Sequence, residues 1–358
     1  MKILQTPIRF YPYIGGIENH AYHLSKNLVK LGHEVNVICS NEPKLKSEET
    51  IEGIKIKRLW YPFKIQNTNI APFLPLSLLS NDADVIHTYF PSPWCSDWSA
   101  IVGKLKKIPV AFHYYNDLTE KQFIRQLYNK TMLNASLKLA KKIIVAHERY
   151  VDYSFILPKH REKIAVIPPG VDTALFKPSK KQVSEAIFGF ASVLDNYHEY
   201  KGLDYLFKSI RKSKLKIVGG GEMLDYYKIK AARKDVEFLG TLKPRDMKDF
   251  YHKIGVFVLP TTGYKEGFGI VALEAMASGI PVIVSSIVGV ADDIEKNNCG
   301  IVIKPKNVKE LGNAIKYFED NESEIKIMGR RARKAVENYS WEKIAKRTEE
   351  LYKEIKGN

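Results

Sequence analysis

Short apolar, β-branched segments alternate with amphipathic segments along the whole chain. After the apolar residues 2–5, the residues Ile17, Ala21, Leu24 and Leu28 recur at helical spacing. This alternation is typical of parallel β-sheets that carry helices on both faces. The sequence therefore predicts an α/β fold with strands near residues 2–5, 34–39, 54–59, 84–87, 109–113, 142–145, 163–167, 186–191, 215–218, 236–239, 256–260 and 281–284.

A stretch rich in proline, residues 168–178, interrupts the alternation. A segment of this composition is typical of an interdomain linker. Because 358 residues exceed what a single hydrophobic core usually organises, we expect two domains, 1–170 and 171–340.

The helical segments are predicted from caps as well as from periodicity. Thr119 and Gln122 have the spacing of a capping box and predict a long helix that ends at about Ala140. In the last third of the chain, helices are expected near residues 308–318, 323–337 and 341–355.

The charge of the chain favours an anionic partner. The net charge is +16, in an otherwise ordinary globular composition with 45% hydrophobic and 27% charged residues. Nucleic acid is not expected, because no recognition-helix, zinc-finger or aromatic-interleaved basic motif is present. An anionic membrane surface fits better if the substrate is a lipid. The alternative is that the charge serves only solubility or thermal stability.

The cysteines and the N-terminal segment bear on the compartment. Cys39, Cys95 and Cys299 lie far apart with no Cys-x-x-Cys spacing, which argues against a disulfide framework or a zinc site and favours a reducing environment. Pro7 and Arg9 interrupt any apolar region of the kind found in a signal peptide. No apolar run reaches the roughly 18–20 residues that a spanning helix needs. We predict a cytoplasmic protein, with peripheral binding to the inner face of the membrane as an option.

The most specific chemistry lies between Thr261 and Val282. A polar loop ends in Glu266-Gly-Phe-Gly269, and a helix that carries Glu274 about two turns inside follows it. A helix N-terminus at such a turn exposes unpaired N–H groups that suit a phosphate, and a carboxylate there can accept both hydroxyls of a ribose. The combination predicts a sugar-nucleotide site. The alternative is a glycine-rich turn that serves only packing.

Two glutamates eight positions apart around Gly-Phe-Gly, followed by Ala277-Ser-Gly-Ile-Pro-Val282, resemble the donor site of family 4 glycosyltransferases. The resemblance extends from Gly15–Gly16 to Ser340-Trp-Glu342. It implies the GT-B fold, an α/β architecture of two Rossmann-like domains that face each other across an interdomain cleft. It also implies that the last helix, about 341–358, returns to pack on the first domain.

The resemblance further implies the reaction. Such an enzyme is a retaining, metal-independent hexosyltransferase without a cofactor, since the nucleotide sugar is a co-substrate. It moves a sugar from a UDP- or GDP-linked donor to a glycan or lipid-linked acceptor, in the biosynthesis of cell-surface polysaccharide, glycolipid or glycoprotein. Attack occurs on the face from which the diphosphate leaves, and the leaving oxygen takes the acceptor proton without an enzymic nucleophile.

The donor residues follow by resemblance. Lys201, followed by Gly202, holds the diphosphate, Glu274 binds the ribose, and Glu266 lies near the sugar hydroxyls or the departing group. Lys201, Glu266 and His113 are the expected catalytic residues. The donor set is Gly16, Lys201, Gly221, Glu222, Leu242, Glu266, Gly267, Phe268, Gly269, Ile270 and Glu274.

One residue of the family pattern is absent. An arginine that usually ends the first strand of the second domain is missing, and Val193 stands at about its place. His198, Arg245 and Lys265 are candidates to supply the positive charge, and the sequence does not decide among them.

The first domain is expected to bind the acceptor. His113 follows the strand 109–113 at the carboxyl edge of the sheet, where open α/β sheets bind ligands, and the resemblance implies that it contacts the transferred sugar. His87 ends the neighbouring strand and is a second candidate, while a histidine that merely caps a strand is the alternative for both. The acceptor set is Gly15, Gly16, His87 and His113.

Two features favour a lipid-linked acceptor. One is the aromatic and proline-rich stretch from Leu59 to Leu79, and the other is a basic helix that runs from Lys121 through Arg125 to Lys142. Basic residues beside an apolar face bind anionic interfaces, although such a helix is also typical of a solvated outer face.

Other functions remain open at this point. A GT-B nucleotide-sugar epimerase uses a similar donor cleft and needs no acceptor. A non-catalytic protein that binds sugar nucleotides or membranes is conceivable because of the missing arginine. Paired carboxylates about 5 Å apart are also typical of retaining glycosidases, but here Glu266 and Glu274 belong to a phosphate-binding turn.

Overall fold

The computed structural model describes residues 1–118, 123–180, 183, 185–211, 213–232, 235–264 and 266–357. The chain forms two compact units. Unit 1 comprises Met1–Gly170 together with Trp341–Asn358, and unit 2 comprises Val171–Ser340. The first boundary lies within the proline-rich stretch 168–178.

Strands and helices alternate in both units. The strands are β1 (Lys2–Thr6), β2 (Glu34–Ser40), β3 (Glu48–Ile51), β4 (Ile54–Leu59), β5 (Phe63–Ile65), β6 (Thr68–Ile70), β7 (Val85–Phe90), β8 (Val110–Tyr114), β9 (Lys142–Val145), β10 (Ile164–Val166), β11 (Phe188–Ala191), β12 (Leu215–Val218), β13 (Val236–Phe238), β14 (Val256–Leu259), β15 (Val282–Ser285) and β16 (Gly300–Ile303). The helices are α1 (Gly16–Lys30), α2 (Leu74–Leu79), α3 (Pro93–Lys106), α4 (Phe123–Tyr128), α5 (Asn134–Leu139), α6 (Arg149–Tyr153), α7 (Leu203–Ser209), α8 (Leu224–Ala231), α9 (Met247–Tyr251), α10 (Ile270–Ala277), α11 (Ala291–Asn297), α12 (Val308–Asp320), α13 (Glu322–Val336) and α14 (Trp341–Gly357).

Unit 1 is built on an eight-stranded sheet in the order β10-β9-β8-β7-β1-β2-β4-β3. All neighbouring strands are parallel except β3, which is antiparallel to β4. β1 lies between β2 and β7, so the strand order reverses at β1. Because the carboxyl ends of parallel strands share one edge, the turn after β1 and the ends of β7 and β8 lie at the same edge.

One face of this sheet is covered by α1 and α14. Leu24 and Leu28 of α1, and Ile344 and Tyr352 of α14, are fully buried in a core that also contains Ile3 of β1. The C-terminal helix α14 therefore packs into the core of unit 1, the unit to which it is assigned.

Unit 2 is built on a six-stranded sheet in the order β13-β12-β11-β14-β15-β16, with every pair parallel. β14 and β15 are buried at every position. Central strands of a parallel sheet are covered on both faces, which explains their continuous apolar sequences. The order reverses between β11 and β14, and this is where ligands bind in folds of this class.

Several strands were not predicted. β3 is an edge strand whose residues are exposed or half-buried, so no apolar run marks it. Among the described residues, it is also the one strand of this sheet that departs from the predicted parallel arrangement. The hairpin β5–β6 and the strand β16 were likewise missed.

The predicted long helix after residue 118 is not regular. Its capping residues Thr119 and Gln122 lie outside the described residues. In the part that the structure describes, α4 passes through a π-helical segment, Asn129–Leu133, into α5. The hydroxyl of Thr131 donates to the Leu127 carbonyl oxygen at 2.7 Å, and such a side-chain bond competes with the regular helical pattern.

Three further observations concern the described residues. No group of three or more metal-ligating side chains occurs among them. Within the same ranges, no helix has both the length and the apolar character needed to cross a bilayer. Cys39, Cys95 and Cys299 are free thiols, and all three are buried.

Candidate active site

In unit 2, predicted donor residues meet where the strand order reverses. Lys201 follows β11 and Glu266 follows β14, and the two strands are neighbours. The Nζ atom of Lys201 lies 2.8 Å from Oε2 of Glu266. The side chains are only 15% and 10% exposed, so this ion pair is shielded from solvent. Two of the three predicted catalytic residues are thus in direct contact.

The position of Lys201 depends on the glycine that follows it. Gly202 has a φ of 83°, and a Cβ there would lie 2.0 Å from the carbonyl oxygen of Pro260. Only glycine allows the backbone to approach the end of β14 this closely. The N–H of Thr262 also donates to the carbonyl oxygen of Tyr200 at 2.7 Å. Both contacts hold the Lys201 segment against the loop that leads to Glu266.

The turn before α10 combines a fixed backbone with open space. Gly269 caps the helix with a φ of 88°, and Ile270 is its first residue. Phe268 is buried and anchors the turn, with its ring 5.5 Å from that of Tyr339. In contrast, a Cβ on Gly267 would meet no atom within 4 Å. The N-terminus of α10, with its unpaired N–H groups, therefore opens beside an unobstructed glycine.

Glu274 is the fifth residue of α10, little more than one turn inside the helix rather than two. Its Oε2 lies 2.8 Å from the Tyr251 hydroxyl, which is also 3.1 Å from the carbonyl oxygen of Val271. Burial raises the pKa of Glu274 to about 7, against the opposing effects of the Tyr251 hydrogen bond and the positive charge of Lys201. The carboxyl group therefore changes its charge near neutral pH.

The glycine loop after β12 lies against the loop after β11. A Cβ on Gly219 would lie 1.8 Å, and one on Gly221 2.4 Å, from carbonyl oxygens of residues 192–194. Both glycines have φ near 147° (147° and 146°), which other residues rarely adopt. Oε1 of Glu222 accepts a hydrogen bond from Nδ2 of Asn196 at 2.7 Å. The structure thus ties Gly221 and Glu222 to the segment that leads to Lys201.

Leu242 lies at the same edge of the sheet. It follows β13 and is half-buried. The N–H of Gly219 donates to the carbonyl oxygen of Gly240 at 2.9 Å, which joins the loops after β12 and β13. All the donor residues predicted in unit 2 therefore follow the carboxyl ends of four adjacent strands, β13, β12, β11 and β14.

The candidates for the missing positive charge occupy different positions. Val193 is half exposed in the loop after β11. His198 lies in the same loop, with Nδ1 2.7 Å from Oδ1 of Asp195. The Arg245 side chain is 75% exposed and pairs with Asp246. Lys265 lies outside the described residues. Lys201 itself places a positive charge at the reversal of strand order.

In unit 1, the turn after β1 leads directly into α1. Gly15 is extended, with φ −164°, and Gly16 is the first helical residue. A Cβ on Gly16 would meet no atom within 4 Å, whereas one on Gly15 would lie 2.2 Å from Oε2 of Glu18. Glu18 is buried 3.9 Å from Arg9, and burial raises its pKa. The turn therefore has free space at Gly16 and a buried carboxyl group behind Gly15.

His87 and His113 contact each other inside unit 1. Nε2 of His87 lies 3.2 Å from Nδ1 of His113, and the Tyr352 hydroxyl lies 2.5 Å from Nδ1 of His87. His113 is 3% exposed and His87 is not exposed at all. Direct contact between His87 and an acceptor, as predicted, does not fit this geometry, because the ring is enclosed and both nitrogens are occupied. His87 lies behind His113.

Three residues at these sites were missed by sequence reasoning. Tyr251 contacts Glu274, Tyr352 contacts His87, and Arg9 lies beside Glu18. The two tyrosines come from helices that are remote in sequence from their partners, so no local motif marks them. Arg9 carried a usable signal, since it is a charged residue between the apolar Ile8 and Phe10.

Two family models match the chain, one over each half. Glycosyltransferase Family 4 matches residues 14–175, and Glycosyl transferases group 1 matches residues 171–335. The chain belongs to the family 4 glycosyltransferases. The family predicted from the residues around Glu266 is therefore confirmed, and with it glycosyl transfer as the general activity.

Similar proteins agree with this assignment. An uncharacterised glycosyltransferase of Methanocaldococcus jannaschii is 29% identical over 99% of this chain and 98% of its own length. Sucrose-phosphate synthase from Thermosynechococcus elongatus superposes with a TM-score of 0.79 at 20% identity, covering 99% of this glycosyltransferase and 98% of that chain. Anabaena HepE in complex with UDP gives a TM-score of 0.76 at 19% identity, with coverages of 99% and 100%. The predicted GT-B fold is confirmed.

Proposed function

We propose that this glycosyltransferase moves a hexosyl group from a UDP- or GDP-linked donor to a glycan or lipid-linked acceptor, with retention of configuration and without a metal ion. The observation that carries the proposal is the Lys201–Glu266 pair, which precedes α10, together with Glu274 a little more than one turn inside that helix. A cation and helical N–H groups suit a diphosphate, and carboxyl groups suit hydroxyls. The complex of HepE with UDP supports uridine nucleotides as the first donors to test.

Each side chain has a distinct role in this scheme. The C1–O bond to the diphosphate breaks, the bond from C1 to the acceptor oxygen forms on the same face, and the leaving oxygen takes the acceptor proton. Lys201 and the N–H groups of α10 stabilise the charge that develops on the leaving group. Glu274 accepts the ribose hydroxyls. Glu266, which Lys201 orients, accepts hydroxyls of the transferred sugar.

The test is the release of nucleoside diphosphate from a panel of UDP-, GDP- and ADP-sugars, with Glu274→Ala as the control. We expect release from one donor, loss of release in the variant, and no change when EDTA is added. The anomeric coupling constant of the purified product, measured by NMR, is expected to match that of the donor. An inverted product would contradict retention. An isomerised nucleotide sugar without transfer would instead identify an epimerase.

Gly16 provides a test of the turn in unit 1. Gly16→Ala is expected to leave the melting temperature unchanged or slightly higher, because the added methyl group meets open space and alanine is favoured over glycine within a helix. If a ligand approaches this backbone, the same methyl group raises the KM about tenfold or more. Gly312→Ala is a suitable control, since Gly312 lies inside α12, an added Cβ there would meet its nearest neighbour at 3.8 Å, and the residue belongs to neither predicted binding set. It is not expected to change the KM. An unchanged KM in Gly16→Ala would remove this turn from the binding site.

The proposed lipid-linked acceptor is supported by an apolar surface on unit 1. We define this surface by five side chains that are each more than half exposed: Trp60, Phe63, Ile65, Phe73 and Leu76. The hairpin β5–β6, which contributes two of them, is fixed by Arg9, whose Nη2 donates to the carbonyl oxygen of Asn67 at 2.9 Å. Arg125 of α4 donates to Oε1 of Gln66 at 2.6 Å. Positive charge beside exposed apolar side chains is typical of binding to anionic membranes.

A flotation assay tests membrane binding. We expect the protein to float with liposomes that contain phosphatidylglycerol and not with neutral liposomes. Phe63→Ser combined with Ile65→Ser is expected to lower the bound fraction at least tenfold, because each buried apolar side chain contributes about 1.5–3 kcal/mol. Leu105→Ser is the control, since Leu105, near the end of α3, is also more than half exposed. Equal flotation of the hairpin variant and the wild type would exclude this surface.

A further inference from the structure

A buried chain of hydrogen-bonding groups connects the C-terminal helix of unit 1 to His113. The Tyr352 hydroxyl contacts Nδ1 of His87, and Nε2 of His87 contacts Nδ1 of His113. Tyr352 and His87 have no exposed surface, and His113 is 3% exposed. The three side chains therefore form a single buried polar network.

The strand register explains how the network forms. Gln5 is paired with His87 across β1 and β7, and Tyr89 is paired with His113 across β7 and β8. Because side chains alternate between the faces of a strand, these four lie on one face of the sheet. That face is covered by α14, which places Tyr352 over β7.

Neighbouring rings hold the plane of His113. Tyr115 stacks on it with ring centres 4.4 Å apart and an interplanar angle of 6°. The ring of His20 meets it edge-on, with centres 4.6 Å apart. His113 is thus fixed in position, and what remains to be determined is which of its nitrogens carries the proton.

The order of protons along the network follows from Tyr352. Within the described residues, its hydroxyl has His87 as its hydrogen-bond partner and no other, so the phenol proton is donated to Nδ1 of His87. Burial lowers the pKa of His87 to about 3 and that of His113 well below its usual value, so both rings are neutral. A neutral imidazole carries one proton. That of His87 therefore lies on Nε2 and is donated to Nδ1 of His113.

The reverse order is unfavourable. If Nδ1 of His113 donated to His87, Nδ1 of His87 would donate to Tyr352, and the phenol proton would have no acceptor in a buried site. An unsatisfied buried donor loses its hydration without compensation. Hydrogen bonds in the network are therefore donated in one preferred direction, from Tyr352 of α14 through His87 to His113 of β8.

We propose that Tyr352 and His87 are positioning residues that hold His113 as the tautomer with its proton on Nε2. Nε2 of His113 makes no hydrogen bond within the described part of unit 1, so it is the nitrogen left for a ligand. With its proton there, His113 donates a hydrogen bond to a ligand oxygen and cannot remove a proton from an acceptor hydroxyl. This consequence for the reaction rests on the proposed glycosyl transfer, whereas the tautomer itself does not.

The tautomer can be measured without substrate. The full chain is labelled with ¹⁵N-histidine, and long-range ¹H–¹⁵N correlation spectra distinguish protonated from unprotonated ring nitrogens. The signals of His87 are assigned as those missing from the spectrum of His87→Gln, and the signals of His113 as those missing from the spectrum of His113→Asn. In the wild type, we expect protonated Nε2 and unprotonated Nδ1 in both His87 and His113. A protonated Nδ1 in His113 would overturn the proposal.

Variants test whether Tyr352 sets the tautomer. Tyr352→Phe keeps the ring and removes the donor, so His113 is expected to become a mixture of tautomers, with kcat/KM lowered about tenfold. Tyr89→Phe is the matched control, because the buried Tyr89 hydroxyl donates to Gln5 and not to the network. His87→Gln should retain the His113 tautomer, since a glutamine amide can accept from Tyr352 and donate to His113. Unchanged His113 shifts in Tyr352→Phe would contradict the role of Tyr352.

The spectra and the activity separate two kinds of failure. The expected tautomer together with no turnover on any donor would refute the proposed function and leave the network intact. Turnover together with the opposite tautomer would refute the network and leave the proposed function intact.

Discussion

Lys201→Ala is expected to lower kcat by about 100- to 1,000-fold, the usual effect of removing one preorganised group that stabilises a developing negative charge. Lys201 lies at the reversal of strand order, and its side chain is 15% exposed, so solvent screens its charge little. Loss of its amino group leaves the leaving diphosphate with the N–H groups of α10. The measurement is the steady-state release of nucleoside diphosphate from the donor identified by the panel.

A lysine elsewhere in unit 2 provides the control. Lys216 of β12 pairs with Glu237 of β13, and its side chain is 21% exposed, close to the value for Lys201. Lys216→Ala removes a similarly covered lysine whose partner, Glu237, is 56% exposed, and it is expected to leave kcat within about twofold. Lys201→Ala with activity within threefold of the wild type would exclude Lys201 from stabilising the leaving group.

The contact with Glu266 complicates the interpretation of Lys201→Ala, because it leaves a carboxylate that is 10% exposed without its cation. Such a group destabilises the fold and repels a diphosphate. Adding Glu266→Gln removes that charge, so the double variant should recover the melting temperature of the wild type but not its turnover. A double-mutant cycle over both residues therefore separates structural from catalytic effects.

The fold was largely predictable because most strands are marked by short apolar, β-branched runs in the sequence itself. Ile54–Leu59, Lys142–Val145 and Leu215–Val218 have the bounds that their apolar and β-branched residues predicted. β3 and β5 carry no such signal, since none of their residues is buried. β3 and the hairpin β5–β6 were missed for this reason.

The candidate site was predictable to the extent that it depends on backbone constraints. Gly202 and Gly269 adopt positive φ values and touch neighbouring groups, so their place in the sequence marks a turn that requires glycine. The Lys201–Glu266 contact arises from the pairing of β11 with β14, which no local pattern reveals. Tyr251 comes from yet another helix, and its contact with Glu274 could be known only from the packing.

Burial was the quantity that the sequence could not supply. His87 and His113 both stand at the ends of predicted strands, and their sequence contexts look alike. The structure distinguishes them in two ways. His87 lies three residues before the end of β7, whereas His113 is the last residue but one of β8. Tyr352 of α14 contacts His87, both of whose ring nitrogens have partners, whereas Nε2 of His113 has none within the described residues. A helix at the far end of the chain thus decides which histidine can meet a ligand.

Glu274→Gln is expected to weaken binding of the donor and at the same time to stabilise the folded protein. Burial raises the pKa of Glu274 to about 7 from an ordinary value of 4.5. If the ionised carboxylate accepts the ribose hydroxyls, protonation of Glu274 competes with binding of the nucleotide sugar. The Kd of the intact nucleotide sugar is therefore expected to be about tenfold higher at pH 6 than at pH 8. The diphosphate diester of a nucleotide sugar does not titrate in this range. Calorimetry should show weaker binding by Glu274→Gln, without this pH dependence.

The stability of the folded protein is expected to fall as the pH rises, whereas donor binding becomes tighter. Because the folded pKa lies above the unfolded one, the native state holds the proton more tightly between pH 4.5 and about pH 7, and the free energy of unfolding falls as the pH rises through this window. At pH 8, the charge on Glu274 costs about 3 kcal/mol. Glutamine removes that cost and can still accept from Tyr251. Its melting temperature should therefore exceed that of the wild type by several degrees at pH 8 and by little at pH 5.

The two effects together distinguish a binding carboxylate from a merely buried one. Glu237→Gln, at an exposed position on β13, is the control and should change neither property. A buried glutamate without a ligand would give the gain in stability at pH 8 while leaving donor affinity unchanged. A melting temperature that differs from the wild type by the same amount at pH 5 and pH 8 would contradict the raised pKa. The combination of lost affinity and gained stability is expected only if Glu274 is kept in an unfavourable position because the donor needs its charge.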